Sequence, residues 1–483
     1  MHLQRGRRAA FLRTKSSRQA VHEVCMALHE EQGFGPVLAS RAFRALWIAQ
    51  LLAQTAQNGI HFVQMVLIER LTGSSVHLGL VILSFSLPGI VFSPVAGVVV
   101  DRLSKKQILV ASNIVRVLAV FSYLLLLATL QGGALLLAIY LLTFLTSTIG
   151  QFFSPAQAAT IPLLVGEERL VTANSLFNLT LAISQVVGLI IFGPLVVKIV
   201  GVQGGFVSIA LMYLAATVLV SRIPRDEKPR RPAVDLGSVW VHLGHEVRGG
   251  WLFVVTNRRV YLAIGHLALV ASLIMILAML VPGFAARVMG LAPEDSVVVF
   301  APAGVGMLVA TGLLGRLGYR LNRDVASHLA LGLAGFAFAL LAWISRGYST
   351  LRIPILEVHP QAFLSLTGAV MAISFLLGFS LSTVNILAQT ALQIHSPPNV
   401  RGRVFAVQFM LNNLVGIPPM LAIGYLADRF GIPSILRVLS WFVLGLTFLS
   451  AYAQFRPISE RERQRQQRIQ ADLEDASSHA QGP

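Results

Sequence analysis

The feature that most constrains this chain is a regular alternation of long apolar stretches with short charged clusters. Stretches of about 20 apolar residues, the length that crosses a bilayer as a helix, recur twelve times between residues 45 and 454. Only 12% of the residues are charged, against roughly 25% in soluble domains. The pattern excludes a soluble fold and predicts an all-α membrane protein with twelve transmembrane helices. The predicted spans cover residues 45–68, 76–100, 108–131, 134–158, 172–197, 205–222, 260–285, 296–315, 325–345, 364–392, 404–427 and 434–454.

The placement of positive charge predicts how these spans are oriented. An even number of spans puts both termini on one side and divides the loops into two sets. The set that includes the termini holds 30 of the 38 Lys and Arg residues, and the other set holds seven. The positive-inside rule identifies the first set as cytoplasmic. The net charge of +17 therefore indicates topology rather than nucleic-acid binding, and predicts a multi-pass protein of the cell inner (plasma) membrane.

The longest internal loop predicts a division into two halves. It is rich in charge and contains Pro224, Pro229 and Pro232, which favour a solvated linker, and a weak repeat places Ala156-Gln157 opposite Ala388-Gln389. The predicted organisation is a polar basic tail (1–40), a six-helix half (41–222), a cytoplasmic linker with an amphipathic helix (223–259), a second six-helix half (260–455) and a polar tail (456–483).

A short motif follows the second span: Gly97-Val-Val-Val-Asp101-Arg102-Leu-Ser-Lys105-Lys106. Gly97 allows another helix to approach closely. Asp101 can face the positive N-terminal end of a neighbouring helix, and the bases hold the loop on the inner side. Gly97, Asp101, Arg102, Lys105 and Lys106 are therefore predicted to form a gating motif.

This motif, placed in a chain of six plus six spans, resembles the major facilitator superfamily. Four further segments resemble its branch of macrolide-efflux and enterobactin-exporter proteins: Phe43-Arg-Ala-Leu-Trp, Ser154-Pro-Ala-Gln, Leu170-Val-Thr-Ala-Asn174 and Arg401-Gly-Arg-Val. The resemblance covers residues 40 to 455 and implies alternating access, with efflux from the cytoplasm that is usually driven by protons. It also implies that Asp101 closes the cytoplasmic gate against the eleventh span.

The first predicted span carries a polar stripe. Gln50, Gln54, Gln57, Asn58, His61 and Gln64 share an arc of about 120° on one helix face. Such a face is costly against lipid, so we expect it to line a water-filled or substrate-filled cavity, with hydrogen bonds inside a dry bundle as the alternative. With polar residues of later spans, the predicted substrate cavity comprises Gln54, Gln57, Asn58, His61, Gln64, Gln151, Asn178, Gln185, His266, Asn385, Gln389 and Asn412.

Candidates for proton coupling are few. All 21 acidic residues lie in loops, tails or span ends, and Asn58 stands where related branches carry an acid in the first span. His61 and His266 are the proton-coupling candidates, because histidine titrates near neutral pH. The alternative for each is a packing or hydrogen-bonded histidine. Arg116, inside the third span, is interpreted as snorkelling or pairing with a carbonyl or Asp101, with binding of an anionic substrate as the alternative.

Other chemistries are not expected. The chain has no phosphate-binding loop, so we expect no ATP hydrolysis, and its single cysteine, Cys25, excludes a disulfide within the chain. We expect no enzyme activity, cofactor, metal or nucleic-acid partner. The predicted function is a monomeric secondary transporter, with the lipid bilayer, a small-molecule substrate and coupling protons as partners, that exports a small amphiphilic or lipophilic compound. The alternatives are a lysophospholipid flippase or nutrient importer of the same fold, and a non-transporting membrane scaffold or sensor.

Overall fold

The computed structural model describes residues 34–165, 169–224, 251–317, 321–351 and 360–456, and these residues are almost entirely helical. The long helices are α1 (Arg41–Thr72), α2 (Ser75–Arg102), α3 (Lys105–Thr129), α4 (Gly132–Leu164), α5 (Leu170–Val186), α6 (Gly193–Ser221), α7 (Arg258–Gly283), α8 (Ser296–Leu317), α9 (Arg323–Leu351), α10 (Pro360–His395), α11 (Pro398–Phe430) and α12 (Ile432–Phe455). A short helix, Phe34–Ala39, precedes α1. The π-helical turns Val187–Phe192 and Phe284–Met289 follow α5 and α7, and the 3₁₀ turn Pro293–Asp295 precedes α8.

Ten segments of the described residues are long and apolar enough to cross a membrane. One of them, Thr172–Ser221, has 50 residues, and as a straight helix it would be about 75 Å long, more than twice the thickness of a hydrocarbon core. Gly201, with φ 72° and ψ −179°, interrupts this segment and divides it into two helical rods. Helix α1 is not among the ten, although its 32 residues are long enough, because its polar stripe lowers its hydropathy.

Local signals explain where the helices end. Ser74 and Ser104 are the N-caps of α2 and α3, and their hydroxyls accept hydrogen bonds from the backbone N–H groups of His77 and Gln107, both at 3.4 Å. Gly73, with φ 56°, ends α1 in the left-handed conformation that glycine adopts at low cost. The loops that join α1 to α2 and α2 to α3 are consequently short and sharply bounded.

The helices pack as two groups with the same internal pattern. In the N-half (α1–α6), α4 packs on α2 and α3, and α3 packs on α6. In the C-half (α7–α12), α10 packs on α8 and α9, and α9 packs on α12. The two halves meet mainly where α2 lies against α11 and α7. The chain thus uses one packing arrangement twice.

The outer surface of the bundle is apolar. Large apolar side chains point outward along its length, among them Leu141, Trp343 and Phe448, whose side chains are 61%, 69% and 77% exposed. Monomeric soluble proteins rarely expose contiguous apolar surface on this scale. The surface fits a hydrocarbon environment, in agreement with the predicted membrane protein.

The predicted tails and linker are only partly described. Residues 1–33, most of the predicted linker (225–250) and the C-terminal tail from 457 onward lie outside the described residues. The last part of the predicted tail (1–40) contains the helix Phe34–Ala39, which packs on α1 and α5. Its apolar Val37 is buried, and burial of this side chain favours packing of the segment on the bundle.

Helices α8 and α10 approach each other through glycine. A Cβ atom at Gly306 would collide with the backbone oxygen of Phe375, and one at Gly378 would collide with the backbone oxygen of Ala303. Gly312, on the same helix as Gly306, has open space where its Cβ would lie. Small residues at a crossing let the two backbones pack closely, as is common between membrane helices.

We predict that Gly306→Val lowers the thermal stability of the detergent-purified protein, because the added side chain forces α8 and α10 apart at a cost of about 1–3 kcal/mol. The measurement is the fraction that remains monodisperse after heating. Gly312→Val is the matched control and should melt like the wild type. Equal melting of the two variants would contradict this close crossing.

Candidate functional site

The polar stripe of α1 turns into the N-half and bonds to α6. The Gln57 Nε2 amide donates to His61 Nε2 at 3.1 Å, and the Tyr213 hydroxyl donates to Gln57 Oε1 at 3.0 Å. Since His61 Nε2 accepts, the neutral ring carries its proton on Nδ1, and this buried nitrogen has no partner among the described residues. The ring of His61 lies 4.1 Å from that of Phe85, centroid to centroid. The histidine thus has one nitrogen in a network and the other without a partner.

Other members of the stripe tie α1 to its neighbours. Gln64 is fully buried and donates to the Tyr123 hydroxyl at 2.7 Å and to Thr143 Oγ1 at 3.2 Å. Gln50 is also buried and donates to the backbone oxygen of Phe177 at 3.3 Å. These two residues form hydrogen bonds between helices in the bundle, as the alternative interpretation of the stripe expects.

The Asn58 side-chain amide donates to the backbone oxygen of Gln54 in its own helix at 2.9 Å. The Cβ atom of Asn58 lies 2.7 Å from the position that a Cβ at Gly188 would take, so the π-helical turn after α5 packs directly on α1 here. Asn58 therefore lies at a close helix crossing, and the stripe combines packing positions with the Gln57 and His61 network.

The remaining predicted cavity residues are scattered. The Gln151 side-chain amide donates to the backbone oxygen of Ser147 in its own helix at 3.4 Å. Gln389 and Asn412 are half-buried, and each has a buried side-chain oxygen without a described partner. Gln185 and Asn385 are exposed, and the side chain of Asn178 lies outside the described residues. The structure does not join these residues to the α1 stripe by any hydrogen bond that it describes.

His266 lies in a different network, inside the C-half. His266 Nε2 and His328 Nε2 both lie 2.7 Å from the Ser450 hydroxyl, and His328 Nδ1 donates to the backbone oxygen of Asp324 at 2.6 Å. With its proton on Nδ1, neutral His328 accepts from Ser450, so His266 donates to Ser450. Sequence reasoning missed His328 and Ser450, because the helices that carry them, α9 and α12, are distant from α7 in sequence.

The network of His266, His328 and Ser450 borders a cavity. The lining of this cavity includes His266 and His328, together with Arg259, Asp324 and His395. Arg259 donates to His395 Nε2 at 3.1 Å, which ties α7 to α10 at the rim. His61 and His266 therefore belong to separate environments rather than to one common set.

The predicted gating motif forms the junction between α2 and α3. Helix α2 ends at Arg102, and α3 begins at Lys105. The side chains of Gly97, Asp101 and Arg102 lie outside the described residues. Lys106 Nζ donates to the backbone oxygen of Ile223 at 2.5 Å, which ties this loop to the end of α6 within the N-half.

The opposite ends of the helices carry a cluster of ion pairs that we call the ionic latch. It consists of Glu69, Arg70, Lys198, Arg287, Glu294, Asp295 and Asp428. Arg287 lies between two acids, 3.2 Å from Glu69 and 2.9 Å from Asp428. Arg70 bonds to Glu294 at 2.5 Å, and Lys198 bonds to Asp295 at 2.8 Å. The pairs to Glu69, Arg70 and Lys198 join the N-half to the C-half.

Asp428 also caps a helix of the other half. Its carboxylate, in the last turn of α11, accepts hydrogen bonds from the Ser74 hydroxyl at 2.6 Å, from Ser75 N at 2.7 Å and from Val76 N at 3.1 Å. These groups form the N-terminus of α2, where free N–H groups and the helix dipole favour a negative charge. One carboxylate thus holds α11, α2 and Arg287 together.

The latch is confined to one end of the bundle. Every ion pair between two described residues lies at this end, and all of these residues come from the loop set with few basic residues. The described part of the chain shows no ion pair between the halves at the end that carries the α2–α3 loop. The structure is therefore closed, and electrostatically held, at the latch end.

Comparisons with known proteins agree with this geometry. The Major Facilitator Superfamily profile matches residues 46–418. The chain is 26% identical over 445 residues to the uncharacterised MFS-type transporter YkuC of Bacillus subtilis, covering 86% of this chain and 95% of that protein. It is 25% identical over 328 residues to the putative bacilysin exporter BacE of Bacillus subtilis, covering 68% and 74% of the two chains.

Solved structures show the same fold. The nucleoside transporter NupG superposes with a TM-score of 0.65 at 14% identity, covering 86% of this chain and all of that one. A POT family transporter in complex with 5-aminolevulinic acid superposes with a TM-score of 0.59 at 11% identity, covering 85% and 95%. At these identities the likeness concerns the arrangement of the helices alone.

We predict that Asp428→Ala opens the latch end, because it removes both a helix cap and a charge-assisted hydrogen bond, together worth about 2–4 kcal/mol. Spin labels are attached at Leu71→Cys and Phe430→Cys in a Cys25→Ser background. The distance between the two labels, measured by pulsed electron paramagnetic resonance, reports the separation of the halves. The distance distribution should gain a longer component. Arg437→Ala is the control, because Arg437 bonds only to Ser434 of its own helix among the described contacts, and an unchanged distribution in Asp428→Ala would refute the latch.

Proposed function

The chain belongs to the Major Facilitator Superfamily, and we propose that it is a secondary active transporter that exports a small amphiphilic or lipophilic compound by alternating access. The membrane transport class follows from the family and from the apolar helices. The direction of transport, the kind of substrate and the coupling to protons are our proposal. The observation that carries it is the ionic latch, which among the described residues joins two similarly packed halves by ion pairs at one end of the bundle.

We further propose that the latch end faces outward. Its residues come from the loops with few Lys and Arg residues, and the positive-inside rule assigns such loops to the external side. With α1 counted as a span and Gly201 as a break between two spans, the chain has twelve spans and cytoplasmic termini. In this proposal the latched bundle is the state that is closed to the outside and receives a cytoplasmic compound.

The interior of the N-half supports a binding role. Gln57, His61 and Tyr213 form a polar network inside a bundle whose outer surface is apolar. The similarity to a putative bacilysin exporter supports efflux as the direction. We place the substrate between the halves, with α1, α4, α5, α7, α10 and α11 contributing side chains.

Proton coupling, in this proposal, involves His61. A second proton on the ring would convert Nε2 from acceptor to donor, and Nε2 then could no longer accept from the Gln57 amide. Gln57 would have to present its oxygen to His61 instead, and that oxygen now accepts from Tyr213 of α6. Protonation would thus turn the Gln57 amide and reverse the hydrogen bond between Gln57 of α1 and Tyr213 of α6, whose hydroxyl would then accept it.

We predict that Asp101→Asn lowers ATP-independent uptake into inverted membrane vesicles about tenfold, because losing one charge-assisted contact of about 1.4 kcal/mol shifts the gating equilibrium by that factor. A panel of amphiphilic compounds serves as substrate. Asp226→Asn, a matched change in the predicted linker, should transport like the wild type. Accumulation in right-side-out vesicles instead would show import, and wild-type uptake by Asp101→Asn at equal expression would refute the gating role.

We predict that His61→Gln abolishes transport driven by a proton gradient while exchange of labelled for unlabelled substrate continues, because exchange requires no proton release. Glutamine can still accept the Gln57 hydrogen bond. His77→Gln is the control, since His77 bonds to Tyr140 outside this network, at 2.7 Å, and His266→Gln tests the second histidine. Wild-type uptake that is indifferent to a protonophore would rule out proton coupling.

A further inference from the structure

A single positive charge is buried inside the N-half. Arg116 lies eleven residues into α3, about 16 Å from its start, and is only 4% exposed. Its guanidinium carbon lies 4.7 Å from the centre of the Phe153 ring and 5.4 Å from that of Tyr213. The side chain therefore does not snorkel to either end of the helix.

Arg116 makes no hydrogen bond or ion pair with any residue that the structure describes, and its buried Nε atom has no partner. The two aromatic rings stabilise the cation by about 0.5–2 kcal/mol each, whereas burying an ion costs several kcal/mol. The rings also offer no lone pairs to the N–H groups in the guanidinium plane. Up to five donors thus face the interior with no described acceptor.

The helices around Arg116 bury further polar atoms without partners. On α3, Asn113 precedes Arg116 by one turn, and neither its side-chain oxygen nor its nitrogen has a hydrogen bond with any residue that the structure describes. On α4 the same holds for both side-chain polar atoms of Gln157 and for the hydroxyl oxygen of Ser147. Each such group costs about 1–3 kcal/mol when it stays unsatisfied.

The register of α3 and α4 brings these groups to one region. The two helices run antiparallel, since Arg116 lies over Phe153 while Tyr123 bonds to Thr143 at 2.8 Å. Gln157, one turn beyond Phe153, is therefore level with Asn113, one turn before Arg116. We call Asn113, Arg116, Ser147 and Gln157 the Arg116 site.

Gly150 makes room for the guanidinium. A Cβ at this position would lie 3.0 Å from Arg116 Nη2, closer than side-chain atoms normally come. Together with Phe153 it fixes where the charged group sits, one helix turn from the polar atoms of α4. An arginine held in this way is pre-organised to receive a planar anion.

We propose that the Arg116 site binds the anionic group of the transported compound, and that this compound is an amphiphile with one carboxylate. The inference rests on the proposed transport function, names the substrate class, and extends the proposed substrate site from between the halves into the N-half, to α3 and α6. A carboxylate accepts two parallel hydrogen bonds from an arginine edge, and the amide groups of Asn113 and Gln157 supply further donors.

The test uses matched pairs of an acid and its amide as probes: 2-naphthoate and 2-naphthamide, 3-phenylpropionate and its amide, and octanoate and octanamide. The full-length protein in detergent is heated with increasing probe. We predict that at least one acid, but not its amide, raises the melting temperature, since a ligand that binds only the folded state stabilises it. The acid-specific shift should vanish in Arg116→Gln and weaken in Arg116→Lys.

Controls separate binding from general stability. Arg437→Gln, an exposed arginine, should keep the full acid-specific shift. Gly150→Ala, which displaces the guanidinium without removing it, should weaken acid binding several-fold and provides a second variant if Arg116→Gln fails to fold. The inference is refuted if no acid exceeds its amide in any pair, or if the acid-specific shift persists in Arg116→Gln.

Vesicle uptake of the same probes distinguishes this inference from the proposed function. Uptake of the stabilising acid that is lost in Arg116→Gln supports both. Uptake of a neutral amide that is unchanged in Arg116→Gln, without acid-specific stabilisation, retains the transporter and overturns the Arg116 site. Acid-specific stabilisation that needs Arg116, without uptake into vesicles of either orientation, retains the site and overturns the exporter.

Discussion

The hydrocarbon core of a bilayer cannot form hydrogen bonds, and this one constraint orders the whole molecule. Backbone polar groups must be satisfied within each segment, so the segments are helices, and polar side chains must turn inward or lie at the ends. The outward faces consequently carry residues such as Trp343 and Phe448, while Gln57, His61 and Arg116 point into the N-half. Ion pairs between described residues lie at one end of the bundle. The charged groups there stay partly in contact with water, so the desolvation cost of each pair is smaller than in the interior.

The sequence predicts the helices well because each span is a local property. A run of apolar residues between charged clusters is sufficient, and Ser74, Ser104 and Gly73 mark the ends by their own capping chemistry. The two departures from a simple pattern of twelve apolar helices also have local causes. The polar stripe lowers the mean hydropathy of α1, and Gly201 breaks a segment that is otherwise continuously apolar. Sorting the loops by charge also collects all the latch residues in one set, although it does not pair them.

The partners within the site could not be predicted, because they depend on contacts between distant segments. Tyr213 is an ordinary aromatic residue in an apolar stretch until α6 brings it to Gln57, 156 positions away. His266 looks equivalent to His61 in sequence, yet packing places it with Ser450 and His328. Arg116 is visible as a charge within a span, but only the structure shows that it is buried between two aromatic rings.

Helices α2 and α11 provide a physical basis for alternation between a state closed at one end of the bundle and a state closed at the other end. Asp428, at the C-terminal end of α11, caps the N-terminus of α2, so the two helices run antiparallel where they pack. At the other end, Asp101 follows the apolar part of α2, and Pro397, the N-cap residue of α11, makes no side-chain cap hydrogen bond. In the proposed cycle each helix supplies an acid for the N-terminus of the other, one at each end. A rocking motion that breaks the Asp428 cap while forming the Asp101 cap exchanges similar interactions, so neither state needs to be much more stable than the other.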